Sequence, residues 1–144
     1  MASAVDVVDA YIASLPGTSR RTAHGEWGVT LDGEHAGGWP LDLGVRIADG
    51  LLTAKAYALS DPEHVDPWML LWWNRSTRHV RFGSTQGREV WVHADLAATA
   101  VSEPEIDRLL GLVVEAAVAV RDFQRVKREP PPPDSGGGWL TPQG

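Results

Sequence analysis

Apolar residues recur along this chain in two periods, and the places where the period changes mark out its elements. From Ser3 to Leu15, Val5, Val8, Ile12 and Leu15 keep to one helical stripe, with Asp6 and Asp9 in the first turns where the helix dipole favours negative charge. Pro16-Gly17 ends that helix. Trp27, Val29 and Leu31 then alternate with Glu26, Gly28, Thr30 and Asp32, the period of a half-buried strand. Leu41, Leu43, Val45 and Ile47 repeat the alternation, Asp49-Gly50 is a hairpin turn signal, and Leu51 to Leu59 reads as the return strand.

The next stretch breaks both patterns. Trp68-Met69-Leu70-Leu71-Trp72-Trp73 is an unbroken apolar run that follows Asp66-Pro67 and stops at Asn74-Arg75-Ser76. Periodicity alone leaves a buried strand open for so short a run. The Asp-Pro start favours a helix, with Pro67 in the first turn and Asp66 as its cap. An initial turn at Ser60-Asp61-Pro62-Glu63 is expected to lead into it. On such a helix Trp68, Leu71 and Trp72 fall on one side while Met69, Leu70 and Trp73 fall on the other. A helix apolar on both sides needs two apolar neighbours, and its own sheet supplies only one.

Two short strands are expected near Arg78 to Ser84 and Arg88 to Asp95, joined at Gln86-Gly87. In the second, Val90 and Val92 share one face, and Trp91 and His93 the other. Ser102 and Glu105 then open a helix as a capping box, with Pro104 in the first turn and Ile106, Leu109, Leu110, Val113, Ala117, Val120 and Phe123 on its buried side. The fold class predicted is α+β, an α-β-β-β-α-β-β-α succession with a five-stranded, mainly antiparallel sheet packed with helices.

Length and charge narrow the reading. The 144 residues suit one domain, residues 1–128, followed by a flexible Pro/Gly-rich tail at 129–144. A net charge of -6 lacks the basic footprint that neutralises phosphates, so nucleic acid is not an expected partner. The absence of cysteine removes disulfides, thiolate metal sites and a thiol nucleophile. Neither a leader pattern nor a bilayer-length apolar stretch is visible, which predicts a cytoplasmic protein with no membrane partner.

Candidate chemistry is sparse. His24, His35, His64, His79 and His93 are dispersed and lack ligand spacing. Asp32-Gly33-Glu34-His35 is the densest candidate for a metal, but its setting between strand signals and beside glycines reads as a solvated turn. No serine stands in a G-x-S-x-G elbow, and neither Gly25-Glu26-Trp27-Gly28 nor Gly33 to Gly38 has the setting of a phosphate or dinucleotide loop. No enzyme, cofactor or metal site is expected.

The order of elements resembles the YbjN family and the related class I type III secretion chaperone fold. The residues that carry the resemblance are Trp72-Trp73-Asn74 at the end of the middle helix, Phe82-Gly83, Ala94-Asp95-Leu96 and the long final helix, over roughly residues 3 to 126. The density of tryptophan and the Pro/Gly tail depart from the pattern. The resemblance implies a non-enzymatic protein, often a homodimer, that binds a partner polypeptide on an apolar surface or serves as a regulatory adaptor. A self-associating structural protein without a client, or a small hydrolase, are the alternatives.

Trp27 and one face of the middle helix are core candidates. The partner-binding surface is expected on Met69, Leu70 and Trp73 of that helix together with Trp91 and His93, because the two tryptophans are the large apolar groups that an intramolecular core explains least. Trp139, in the tail, is a further candidate for docking into a groove.

Overall fold

Ser3 opens α1 (Ala4–Ala13) in the computed structural model, which describes residues 2–128. Its hydroxyl accepts the Asp6 amide and the Asp6 carboxylate accepts the Ser3 amide, so two orphan donors are satisfied at once. The strands β1 (Thr18–Ala23) and β2 (Glu26–Leu31) form a hairpin, and a short 3-10 turn at Gly33–His35 leads to β3 (Leu41–Ala48) and β4 (Leu51–Ser60). Asp49 and Gly50, both of positive φ, make the tight turn between the latter pair. Then come α2 (Pro67–Trp73), β5 (Val80–Ser84), β6 (Glu89–Ala97) and α3 (Glu103–Arg128). The chain between Ser60 and α2 stays irregular, without the initial turn expected there. The tail at 129–144, with Trp139, lies outside the described residues.

The α+β class holds, with one strand more than the alternation predicts. The sheet has six antiparallel strands in the order β1-β2-β3-β4-β6-β5. The strand missed is β1, Thr-Ser-Arg-Arg-Thr-Ala, whose residues are all exposed. A strand with no buried face has no alternation to read; it pairs with β2 at the edge of the sheet, and its Arg21 adds an ion pair to Asp9 of α1 at 3.1 Å.

The helices pack on one face of the sheet. Trp27, Val29, Leu43 and Val45 are buried there, and the Trp27 indole N–H donates to Asp9 of α1 at 2.7 Å. Leu52, Ala54 and Ala56 of β4 face α3, whose buried side holds Ile106, Leu109, Leu110, Val113, Ala117 and Val120 as the spacing predicts. Three small side chains, Ala54, Ala56 and Ala58, let the long helix lie close to the middle of the sheet. Ser102 caps it, accepting the Glu105 amide at 3.3 Å.

Arg121 is the exception on that stripe. It is 2% exposed, and its guanidinium donates to the carbonyls of Ala58 (2.8 Å), Ala36 (2.6 Å), Trp39 (2.7 Å), Pro40 (3.1 Å) and Tyr57 (3.4 Å). The β4–β6 register slips between Tyr57 and Leu59, so Arg121 satisfies carbonyls at a bulge and in the Gly33–Pro40 loop together. The Trp39 ring covers the charge, 4.5 Å from the guanidinium carbon.

Candidate partner-binding surface

The apolar run at Trp68–Trp73 is helical for the reason its flanks suggest. Asp66 accepts the Trp68 amide at 3.0 Å, and Pro67 stands in the first turn, where its missing N–H costs nothing. Asn74 closes the helix and ties it to the sheet edge: its Oδ1 accepts the Phe82 amide at 2.8 Å while its Nδ2 donates to the Phe82 carbonyl at 3.2 Å. That side chain occupies the place of a neighbouring strand at Phe82, so part of the outer edge of β5 is closed.

The two sides of α2 separate as the helical spacing predicts, but the side left open is the opposite of the expected one. Leu70 is 8% exposed, and Trp73 packs against Phe82 and edge-on against Phe123, with ring centroids 5.7 Å and 5.6 Å apart. Met69 also rests partly buried on the core. Trp68, Leu71 and Trp72 face outward, at 77%, 58% and 64% exposure. What decides the orientation is Asn74, which follows the helix directly and bonds Phe82, together with the packing of Trp73 on Phe82 and Phe123, residues outside the helix.

Grooves flank the exposed ridge. One, of about 370 Å³, lies between α2 and the β5–β6 hairpin and is lined by Pro62, Val65, Leu70, Leu71, Phe82 and Val90. Another, of about 520 Å³, runs between Trp73, Thr77 and Val80 on one side and Leu112, Ala116 and Ala119 of α3 on the other. Leu70 and Trp73 therefore reach the surface as groove linings.

Trp91 and His93 lie elsewhere. They project from the face of the sheet that no described helix covers, so the structure does not bring them together with Trp73. Trp91 stacks on Tyr57 at 5.0 Å with 19° between the planes, and its indole N–H donates to Glu89 at 3.1 Å. The Trp91 donor, then the Tyr57 hydroxyl, hold the Glu89 carboxyl below its ordinary range. Partial burial, then the Lys55 charge, push the His93 imidazole below its ordinary value, against a smaller opposite pull from Asp95.

Among the described residues, Asp32, Glu34 and His35 form the group whose ligand atoms could converge on a metal. All three are exposed, on the turn the spacing predicts, and His35 Nδ1 is already engaged with Asp32 at 3.0 Å. The Asp32 hydrogen bond, then the Asp32 charge, raise the His35 value above its ordinary one. Among the described residues, no helix is long and apolar enough to cross a membrane.

Comparison with known proteins adds to this geometry at the level of the fold. No family model matches the sequence, and no curated protein matches it significantly. Solved structures do match. A chain of the ExsC-ExsE complex superposes with a TM-score of 0.60 at 14% identity, over 81% of this chain and 87% of that one. The HopA1-SchA chaperone-effector complex gives a TM-score of 0.61 at 14% identity, over 81% and 91% of the two chains. The Yersinia pestis type III secretion chaperone SycH, in complex with a stable fragment of YscM2, gives 0.61 at 13% identity over 81% and 98%. The chain thus has a secretion-chaperone-like fold, as its order of elements suggests.

Proposed function

We propose that this chain is a non-enzymatic, chaperone-like module of the cytoplasm, akin to the YbjN proteins, that binds a partner polypeptide on the outer face of α2 and its flanking grooves. The observation that carries this reading is the ridge of Trp68, Leu71 and Trp72, three large apolar side chains held side by side in water. Exposed tryptophans of about 150–250 Å² each, worth about 25 cal/mol per Å² when covered, suit the anchors of a polypeptide interface. The fold supports the same reading, since structures that share it are complexes such as SchA with HopA1 and SycH with a YscM2 fragment. Leu70 and Trp73 act here as groove walls, and Met69 rests with them on the core behind the ridge.

A second reading is favoured by the grooves themselves. Ridge and groove stand side by side on one surface, so a two-fold axis lets each copy place its indoles in the other's groove, and the chain then works as a homodimer.

Replacing Trp68→Ser and Trp72→Ser together tests the site. Stability should stay within about 0.5 kcal/mol, as for surface positions, whereas Leu70→Ala should cost about 2–5 kcal/mol. The double variant should lose a polypeptide that co-purifies with the wild type, identified by mass spectrometry and re-bound from purified components. If only the dimer mass in light scattering disappears, the homodimer reading stands alone; if partners and mass are both unchanged, the ridge is not the site.

A further inference from the structure

The face of the sheet opposite the helices carries one row of residues whose chemistry differs from its neighbours. Arg20 pairs with Gly28, Gly28 with Gly44, Gly44 with Lys55, Lys55 with His93 and His93 with Arg81, so a single register line crosses all six strands. It holds three permanent cations, an imidazole and two glycines, and no acid. Among the described residues none of Arg20, Lys55 and Arg81 has a carboxylate within ion-pair distance, although one nitrogen of the Arg81 guanidinium donates to the Thr77 carbonyl and hydroxyl and to the Val80 carbonyl. The flanking rows hold the acids: Glu26 pairs with Arg46 at 3.4 Å, while Asp95 accepts the Thr53 hydroxyl at 3.0 Å and Asp42 the Thr30 hydroxyl at 2.7 Å and both keep their charge.

Of the two glycines, Gly44 leaves the row open and Gly28 is covered. The Arg20 guanidinium lies on Gly28, its carbon 3.0 Å from where a Cβ would stand, and above Gly44 there is nothing within 4 Å. At about 4.8 Å between neighbouring strands the row is about 24 Å long, the span of roughly seven extended residues. The stacked pair Tyr57 and Trp91 borders it, with Lys55 Nζ 6.0 Å from the Trp91 ring.

We propose that an extended acidic peptide segment docks across this face along the Arg20–Arg81 row, its carboxylates on Arg20, Lys55 and Arg81 and its backbone over Gly44. The class of occupant rests on the polypeptide-binding reading above; the site does not overlap the α2 ridge. Charge complementarity within the row selects the peptide: its three cations have no acid between them, and carboxylates spaced along an extended backbone can reach each one locally on a chain whose net charge is -6.

The test uses the full chain and a fluorescein-labelled deca-glutamate peptide, followed by anisotropy. Binding is expected to be saturable and to weaken as salt rises from about 0.05 to 0.5 M, because exposed charges are screened within a few ångströms at the upper value. Lys55→Glu and Arg20→Glu should each weaken it at least about tenfold, with circular dichroism unchanged, while Arg108→Glu, the same charge change on the helix side, should have no such effect. Should either row variant unfold, amide shifts of Lys55, His93 and Arg81 in the unaltered protein on adding the peptide replace it. Equal loss in all three variants, no binding at all, or preference for a ten-nucleotide oligothymidylate would overturn the proposal. Each of those results leaves partner capture by the α2 ridge to be judged by its own variants.

Discussion

Arg121 shows how much a single side chain can hold. It stands on the apolar stripe of α3, four residues after Ala117, and a cation at such a spacing is the sequence's only sign that the stripe meets polar backbone there. Burial draws its affinity for a proton down, yet the carbonyls around it make the charge useful. Neither lysine, with a compact head, nor methionine, with no donors, can serve five carbonyls arranged in this way. Arg121→Lys and Arg121→Met should each cost roughly 3–5 kcal/mol in urea unfolding, comparable to breaking a buried charged network; a loss under about 1 kcal/mol would mean the loop closes without it. Tyr11 gives a pH dependence of known sign. Its hydroxyl donates to Asp107 at 2.6 Å, and burial, then that hydrogen bond, raise its pKa well above the ordinary 10.0. The folded state therefore holds the proton more firmly than the unfolded chain, so this contribution is complete below pH 10.0 and is lost as pH rises through the folded value. Between about pH 9 and 11, wild-type stability should fall more steeply than that of Tyr11→Phe; parallel curves would contradict the assignment.

At the scale of elements, what was legible depended on whether an element buries exactly one side. β2, β3 and β6 do so, and Trp27, Leu43 and Val92 lie on the face their alternation predicts; β4, read as a return strand, buries Leu52, Ala54 and Ala56 on that same face. α3 does so as well, from the Ser102 cap onward. β1 buries neither side and left no pattern, although Arg20 on it belongs to the cationic row. α2 is apolar on both sides, so its spacing divides Trp68, Leu71 and Trp72 from Met69, Leu70 and Trp73 without saying which set turns inward. Phe82, Phe123 and the Asn74 clasp decide that through contacts outside the helix, which its own spacing does not display. The row from Arg20 to Arg81 escaped notice for a related reason, since strand register is a property of pairs and no single strand displays it.

For the molecule as a whole, the fold assigns different tasks to different surfaces. Helices cover one face of the sheet, an apolar ridge stands at the β5 end, and a mixed polar face with a cationic row is left on the other side. The order of elements was enough to anticipate a secretion-chaperone-like fold, although sequence identity to structures that share it is only 13–14%. Chain order survives where side chains diverge because the layers need only apolar faces of the right period. The central claim concerns the ridge, and site-specific photo-crosslinking in cells tests it most directly. A photoreactive benzoylphenylalanine replaces Trp72 in one version of the protein and Arg108, an exposed position on α3, in another. The account predicts a discrete covalent adduct with a polypeptide from position 72 and none from position 108; no adduct at 72, or equal adducts at both, would contradict it.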